Sequence, residues 1–271
     1  MQEKLIRLIC AANELEENYM CSCGCCDDIM TDFIDDLNKI FSSTDEVNEL
    51  SSYIRWLNLS VFTNEKYKSA DDIRDAIEDI YNSDIEPKKV NFDYNLIYQY
   101  IEYASSLINY LEDISVEQLI SLASKNPKVL YLVSDFTIDS LKEIIKNNNE
   151  ASFVIDVEVM DDDKLYETYL YKNRDKFLKD SELYKLYIDG LKKLLIEDRM
   201  KYIRMSAIAH NDISLASFIL EIEPKLIAYA GHNIYDNKEI MMKMVSIDKS
   251  NKYYLSDRLK ADNDIKELLH D

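Results

Sequence analysis

PKLIAYAGHNIYDNKEIM, residues 224–241, is the stretch on which the fold turns, because a near copy stands earlier in the chain as PKVLYLVSDFTIDSLKEII, residues 127–145. The two agree from Pro-Lys to Lys-Glu-Ile with one residue of difference in spacing. Proline at the head of each suits a helix start, where a missing N–H loses no partner. A second echo runs at a constant offset of 25: Tyr229, Ile234, Glu239, Ile240 and Met244 answer to Tyr254, Leu259, Asp264, Ile265 and Leu269. Degenerate repetition at a period of about 20 to 50 residues implies stacked helical hairpins.

Composition points the same way. Of the 271 residues 47% are apolar, enough for a sizeable core, yet there are only three glycines and three prolines. Such a chain has little material for tight hairpins. Gly24, Gly190 and Gly231 stand too far apart for a dinucleotide or P-loop motif, which excludes those modes of nucleotide binding. The expected fold is all-α: a helical bundle in an acidic N-terminal region, residues 1–90, followed by stacked degenerate helical hairpins over residues 91–271, with at most one short strand element.

Local signals fill in this outline. Met30, Phe33, Ile34, Leu37 and Phe41 fall on one face of a helix. Ser43 with Glu46 reads as a capping box opening a helix toward Trp56, and Ser69 with Asp72 repeats the signal before Ile73 to Tyr81. Tyr94, Ile97, Ile101, Ala104, Ile108 and Leu111 form a heptad-like seam. The tyrosines around it are read as packing residues, since no basic residue between Val90 and Ser124 could hold a phosphate. Residues 152–160, SFVIDVEVM, alternate like the one short strand.

Residues 206–224, SAIAHNDISLASFILEIEP, resemble the ankyrin helix pair: small residues on a first helix, a polar turn at His210-Asn211-Asp212, then Ala216, Phe218, Ile219 and Leu220 on a second. The T-P-L-H tetrapeptide that opens an ankyrin unit is absent, and the match covers one repeat. The resemblance implies protein binding and carries no catalytic residue.

The formal charge is -20, and residues 1–50 hold 12 acidic side chains against 3 basic ones. Such a field opposes direct nucleic-acid binding and attracts basic protein surfaces; it could also imitate nucleic acid. No stretch is apolar for long enough to cross a bilayer, and the first residues lack a signal-peptide pattern, so no membrane association and a cytoplasmic location are expected. Abundant Asn, Lys, Ile and Tyr fit an A/T-rich coding sequence, as in a low-GC bacterium, a phage or a large virus.

Chemistry-bearing clusters are few. Cys21, Cys23, Cys25 and Cys26 could wrap a zinc ion, with Cys10 as a substitute ligand, but the C-x-C-x-C-C spacing is crowded and has no second knuckle. Asp27 and Asp28 would raise the thiol pKa values, and a reduced cysteine loop is the preferred reading. Glu158 with Asp161, Asp162 and Asp163 could gather a hard cation, although three consecutive acids cannot all face one ion; a solvated loop is preferred. His210 and His232 read as polar turn residues. The expectation is a protein without catalytic residues or required cofactor, acting by binding a protein partner. Its two forms are an interaction or assembly component, viral or phage, and an acidic mimic of nucleic acid that inhibits a nucleic-acid-processing enzyme.

Overall fold

The computed structural model describes residues 1–18, 26–64, 67, 71–134, 136–156 and 168–270. All regular structure among them is α-helix or 3-10 helix, with no strand, so the fold is all-α. The chain forms two compact units, Met1–Ser115 and Val116–Asp271. The division falls later than the 90/91 boundary read from the sequence, because residues 94–110 pack against the first helix of the chain.

The first unit is organised around α1, Gln2–Asn18. Leu5, Ile6, Leu8, Ile9, Ala12 and Leu15 are buried there, a set too wide for one stripe, and the helix accordingly has neighbours on several sides. These are α2 (Cys26–Ile40), α4 (Ser51–Leu57), α6 (Tyr94–Tyr100) and the 3-10 segments Ser60–Phe62 and Ser105–Tyr110. The remaining two helices, α3 (Thr44–Glu49) and α5 (Asp72–Tyr81), pack on each other. Tyrosine hydroxyls pin the irregular stretches: Tyr81 donates to the Ile54 carbonyl at 2.9 Å and accepts the Leu59 N–H at 3.1 Å, while Tyr110 donates to the Leu57 carbonyl.

Three local expectations change here. Ser43 does cap α3, but Glu46 turns to the Ser42 N–H and to Lys4, and the chain breaks at Leu50 before starting α4. Asp71 caps α5 by accepting the Arg74 N–H; Ser69 lies outside the described residues. The heptad seam is split, since α6 ends at Tyr100 and the chain resumes as a 3-10 segment at Ser105. Ile97, Ile101, Ala104 and Ile108 are buried nonetheless. A spacing of three and four residues reports which side chains face inward, and a broken helix satisfies it too.

The second unit opens irregularly and settles into one register from Arg199 onward. Its elements are α7 (Val116–Lys125), a 3-10 segment Pro127–Tyr131, α8 (Ile138–Asn147), α9 (Glu150–Asp156), α10 (Tyr169–Phe177) and α11 (Ser181–Glu197). There follow three near-identical turns of a pattern: 3-10 segment, short helix, longer helix. They are Arg199–Arg204, α12 (Ala207–His210) and α13 (Ile213–Ile222); then Pro224–Tyr229, α14 (His232–Tyr235) and α15 (Lys238–Ile247); then Lys249–Tyr254, α16 (Asp257–Ala261) and α17 (Asn263–His270).

The offset of 25 seen in the sequence is obeyed by caps and core alike. Asp212, Asn237 and Asp262 cap the longer helices by accepting the N–H groups of Leu215, Ile240 and Ile265. Met205, Ala230 and Leu255 are buried at equivalent positions, as are Ala209, Ile234 and Leu259. The turns are joined by backbone hydrogen bonds in the same register, Gly231 N–H to the His210 carbonyl at 2.8 Å and Ser256 N–H to the Tyr235 carbonyl at 3.0 Å.

The strand expected over residues 152–160 is corrected in its first part, because residues up to Asp156 belong to α9. Ala151, Ser152, Ile155 and Asp156 point inward, a helical spacing, and the β-branched pattern yields to packing against α11 and the segment 127–131. Residues 157–160 lie outside the described residues.

Candidate functional site

The residues with ligand chemistry in the sequence are only partly placed. Cys21, Cys23 and Cys25 lie outside the described residues, as do Glu158 and Asp161, Asp162 and Asp163; of Cys26 only the backbone, in the first turn of α2, is described. Among the described residues no group of three His, Cys, Asp or Glu could hold a metal ion. Cys10 is half-buried on α1, and burial together with the nearby Glu14 carboxylate pushes its thiol up to about 12, which keeps it protonated and unreactive at neutral pH. His210 bonds the Tyr202 carbonyl through Nε2 at 2.7 Å, with its ring edge-on to the Tyr202 ring. Tyr235, 25 residues on, makes the same contact with the Ile227 carbonyl at 3.1 Å. Both side chains therefore serve the repeat.

The most polar interior cluster was not anticipated. Asp156, fully buried at the end of α9, accepts the Ser206 N–H at 2.9 Å and the Ser206 hydroxyl at 2.6 Å, as well as the Tyr187 hydroxyl. Its own carbonyl accepts Nη1 of Arg174 at 3.2 Å. Burial pushes the Asp156 carboxyl above the ordinary range against the pull of these donors and of Arg174, and it pushes the Tyr187 phenol well up. An Asp, Tyr, Ser and Arg constellation could suggest acid-base chemistry, but Asp156, Tyr187 and Ser206 have no exposed surface. Its geometry is that of a structural clamp: Ser206 is equivalent to Gly231 and Ser256, and Asp156 gives its N–H the acceptor that a carbonyl gives the other two.

Two surfaces remain open. On the array, outward positions change side chain from one 25-residue step to the next although the backbone repeats: Met200, Lys225 and Ser250; Ile203, Ala228 and Tyr253; Arg204 gives way to tyrosine, which Tyr229 and Tyr254 share. Met200, Tyr229 and Tyr253 are 58%, 43% and 78% exposed, a large apolar outlay for residues no core requires. Between α13 and α15 lies a cavity of about 170 Å³ floored by Leu220, Ile240 and Met244, with half-exposed Ile213 at its edge. The Lys243–Glu221 ion pair at 2.8 Å joins the two helices beside it. In the first unit, two adjoining cavities of about 60 and 180 Å³ share Ala11, Glu14 and Asp36 and run between α1 and α2.

No protein-family model, no curated protein and no solved structure matches the chain. No helix among the described residues is long and apolar enough to cross a membrane.

Proposed function

We propose that this chain is a non-enzymatic interaction or assembly protein whose second unit is the scaffold for a protein partner. The observation that carries this reading is the 25-residue register, in which caps, core and inter-turn hydrogen bonds repeat while the outward side chains vary. Arrays of this kind are sums of similar turns, and their extended outer faces are free to be shaped for binding. The test is capture of partners from a lysate of the source organism with the tagged full chain, nuclease-treated and eluted in rising salt, beside a Tyr229→Ala/Tyr253→Ala variant. A partner that persists through the salt steps and is lost from the variant supports the array. One retained equally by both removes it.

A second reading rests on a different observation. Residues 1–115 carry 24 acidic side chains against 9 basic ones, whereas residues 116–271 carry 28 against 23. A unit so charged attracts basic surfaces, including the nucleic-acid groove of an enzyme. In the same capture, an enzyme that elutes at moderate salt and is displaced by free DNA or RNA would put this reading first.

A further inference from the structure

α1 ends against the usual electrostatic preference. Its last turns hold Glu14, Glu16 and Glu17 and no basic residue, although a helix C-terminus carries partial negative charge and favours cations. Glu16 is occupied by the Ser60 hydroxyl and Glu17 by the Asn13 amide. Glu14 is exposed, faces α2, and forms no ion pair among the described residues. Opposite it on α2 stand Asp32, likewise without such a pair, and Asp36, whose one partner is exposed Lys39 at 2.8 Å. Beneath these carboxylates the floor of the two adjoining cavities is apolar, formed by Ala11, Leu15 and Phe33, and Ile40 and the neutral thiol of Cys10 continue it. One wall is aromatic: Tyr103, 64% exposed, leans on Tyr100 with ring centroids 6.3 Å apart. Arg7 closes the end of the trough near Tyr100.

We infer that the trough between α1 and α2 binds a basic, amphipathic segment of a protein partner. An apolar side chain of the segment lies on the floor, its lysine or arginine side chains meet Glu14, Asp32 and Asp36, and a cation stacks on the face of Tyr103. Arg7 sets the direction, because it repels a cation and tolerates only a neutral or anionic end of the segment. Charge complementarity selects this occupant: the trough is rimmed by Glu14 and Asp32, which form no ion pair among the described residues, and by Asp36, paired with exposed Lys39, in a unit with 24 acids against 9 bases. The inference rests on the reading of the chain as an interaction protein, and is independent of the array.

The experiment uses the full chain and a fluorescent peptide of about twelve residues, lysines recurring every third or fourth position beside leucines so that one helical face is both basic and apolar. Binding is read by anisotropy at low and moderate salt. The wild-type affinity should fall about tenfold between roughly 50 and 300 mM salt. Glu14→Gln/Asp32→Asn/Asp36→Asn should weaken binding about tenfold at the lower salt and flatten the salt dependence, with an unchanged circular dichroism spectrum. Tyr103→Ala should weaken it about threefold and leave the salt dependence alone. Retention of wild-type affinity by the triple variant overturns the trough, as does equal binding of a glutamate-for-lysine peptide or displacement of the peptide by equimolar spermine. Those results leave the array reading intact, since that stands or falls with Tyr229 and Tyr253.

Discussion

The two units solve the same problem in opposite ways. In the first, most elements meet α1, each in its own manner, helices are interrupted at Leu50 and after Tyr100, and tyrosine hydroxyls tie down the stretches between. In the second, from Arg199 onward, one arrangement of caps and core recurs every 25 residues. The first unit is irregular in backbone and predominantly acidic; the second is regular in backbone over residues 199–270 and nearly balanced in charge. The contrast teaches where each unit keeps its variability. An array whose stability is summed over neighbouring turns can vary its outer side chains freely, while a unit centred on one helix varies mainly at its rim.

The sharpest way to break this comparison is at Asp156. Asp156→Ala strands the Ser206 N–H and the Tyr187 hydroxyl in the interior, and should cost the second unit about 3 kcal/mol or more, read by urea denaturation. If the two units are as separate in energy as in architecture, the transition of the first unit stays where it was; a common shift would erase the distinction. Gly190→Ala comes next. On α11 a methyl group there would run into the Ser152 side chain, which has no exposed surface and so little room to move. A loss of about 1 to 3 kcal/mol, again confined to the second unit, is expected in the same assay. Ser256→Ala removes both the cap that accepts the Leu259 N–H and the bond to Asp236, for about 1 kcal/mol, and should fray only the last turn, as hydrogen exchange of residues 257–270 would show.

Two carboxyls, one in each unit, should respond to acid with opposite signs. The Lys4 ammonium and the Ser42 N–H hold Glu46 down to about 2, below its ordinary 4.5. Its contribution is present above 4.5 and lost as the pH falls toward 2, and Lys4→Ala should lessen that dependence in the first unit. Asp156 is held above its ordinary 3.8, so its contribution is complete at low pH and lost as the pH rises through the raised value. Asp156→Asn should therefore remove that loss, so that the second unit loses less stability than wild type as the pH rises. Stability of the two variants measured from pH 3 to 7 compares the effects directly.

Much of the array was legible because the same residues that pack it also repeat. Ile234 with Leu259 and Ile240 with Ile265 give the offset in sequence and are buried in the fold. The α2 face from Met30 to Phe41 was legible for the same reason. What escaped was decided by long-range contacts. Nothing local reveals that Asp156 would meet Ser206, 50 residues away, and a β-branched run concealed α9. The trough depends on α1 lying beside α2, and the break after Tyr100 on hydroxyl partners at Glu3 and Leu57. The cysteine cluster stood out by its composition, yet the cysteine whose side chain the fold describes, Cys10, is one whose thiol burial has quieted.

The inter-turn hydrogen bonds also bear on how such a gene can change length. Because the Gly231 N–H and the Ser256 N–H fill the same place against the turn before them, removing the codons for residues 223–247 would bring Ser256 onto the His210 carbonyl with its cap and core neighbours in phase. Loss of 24 or 26 codons would instead rotate every later side chain by about 100° around its helix and turn the core outward. Recombination between the echoing stretches thus has one permitted step size. The clamp at Asp156 has no such equivalent, and marks the end of the array at which insertions and deletions of that size are not interchangeable.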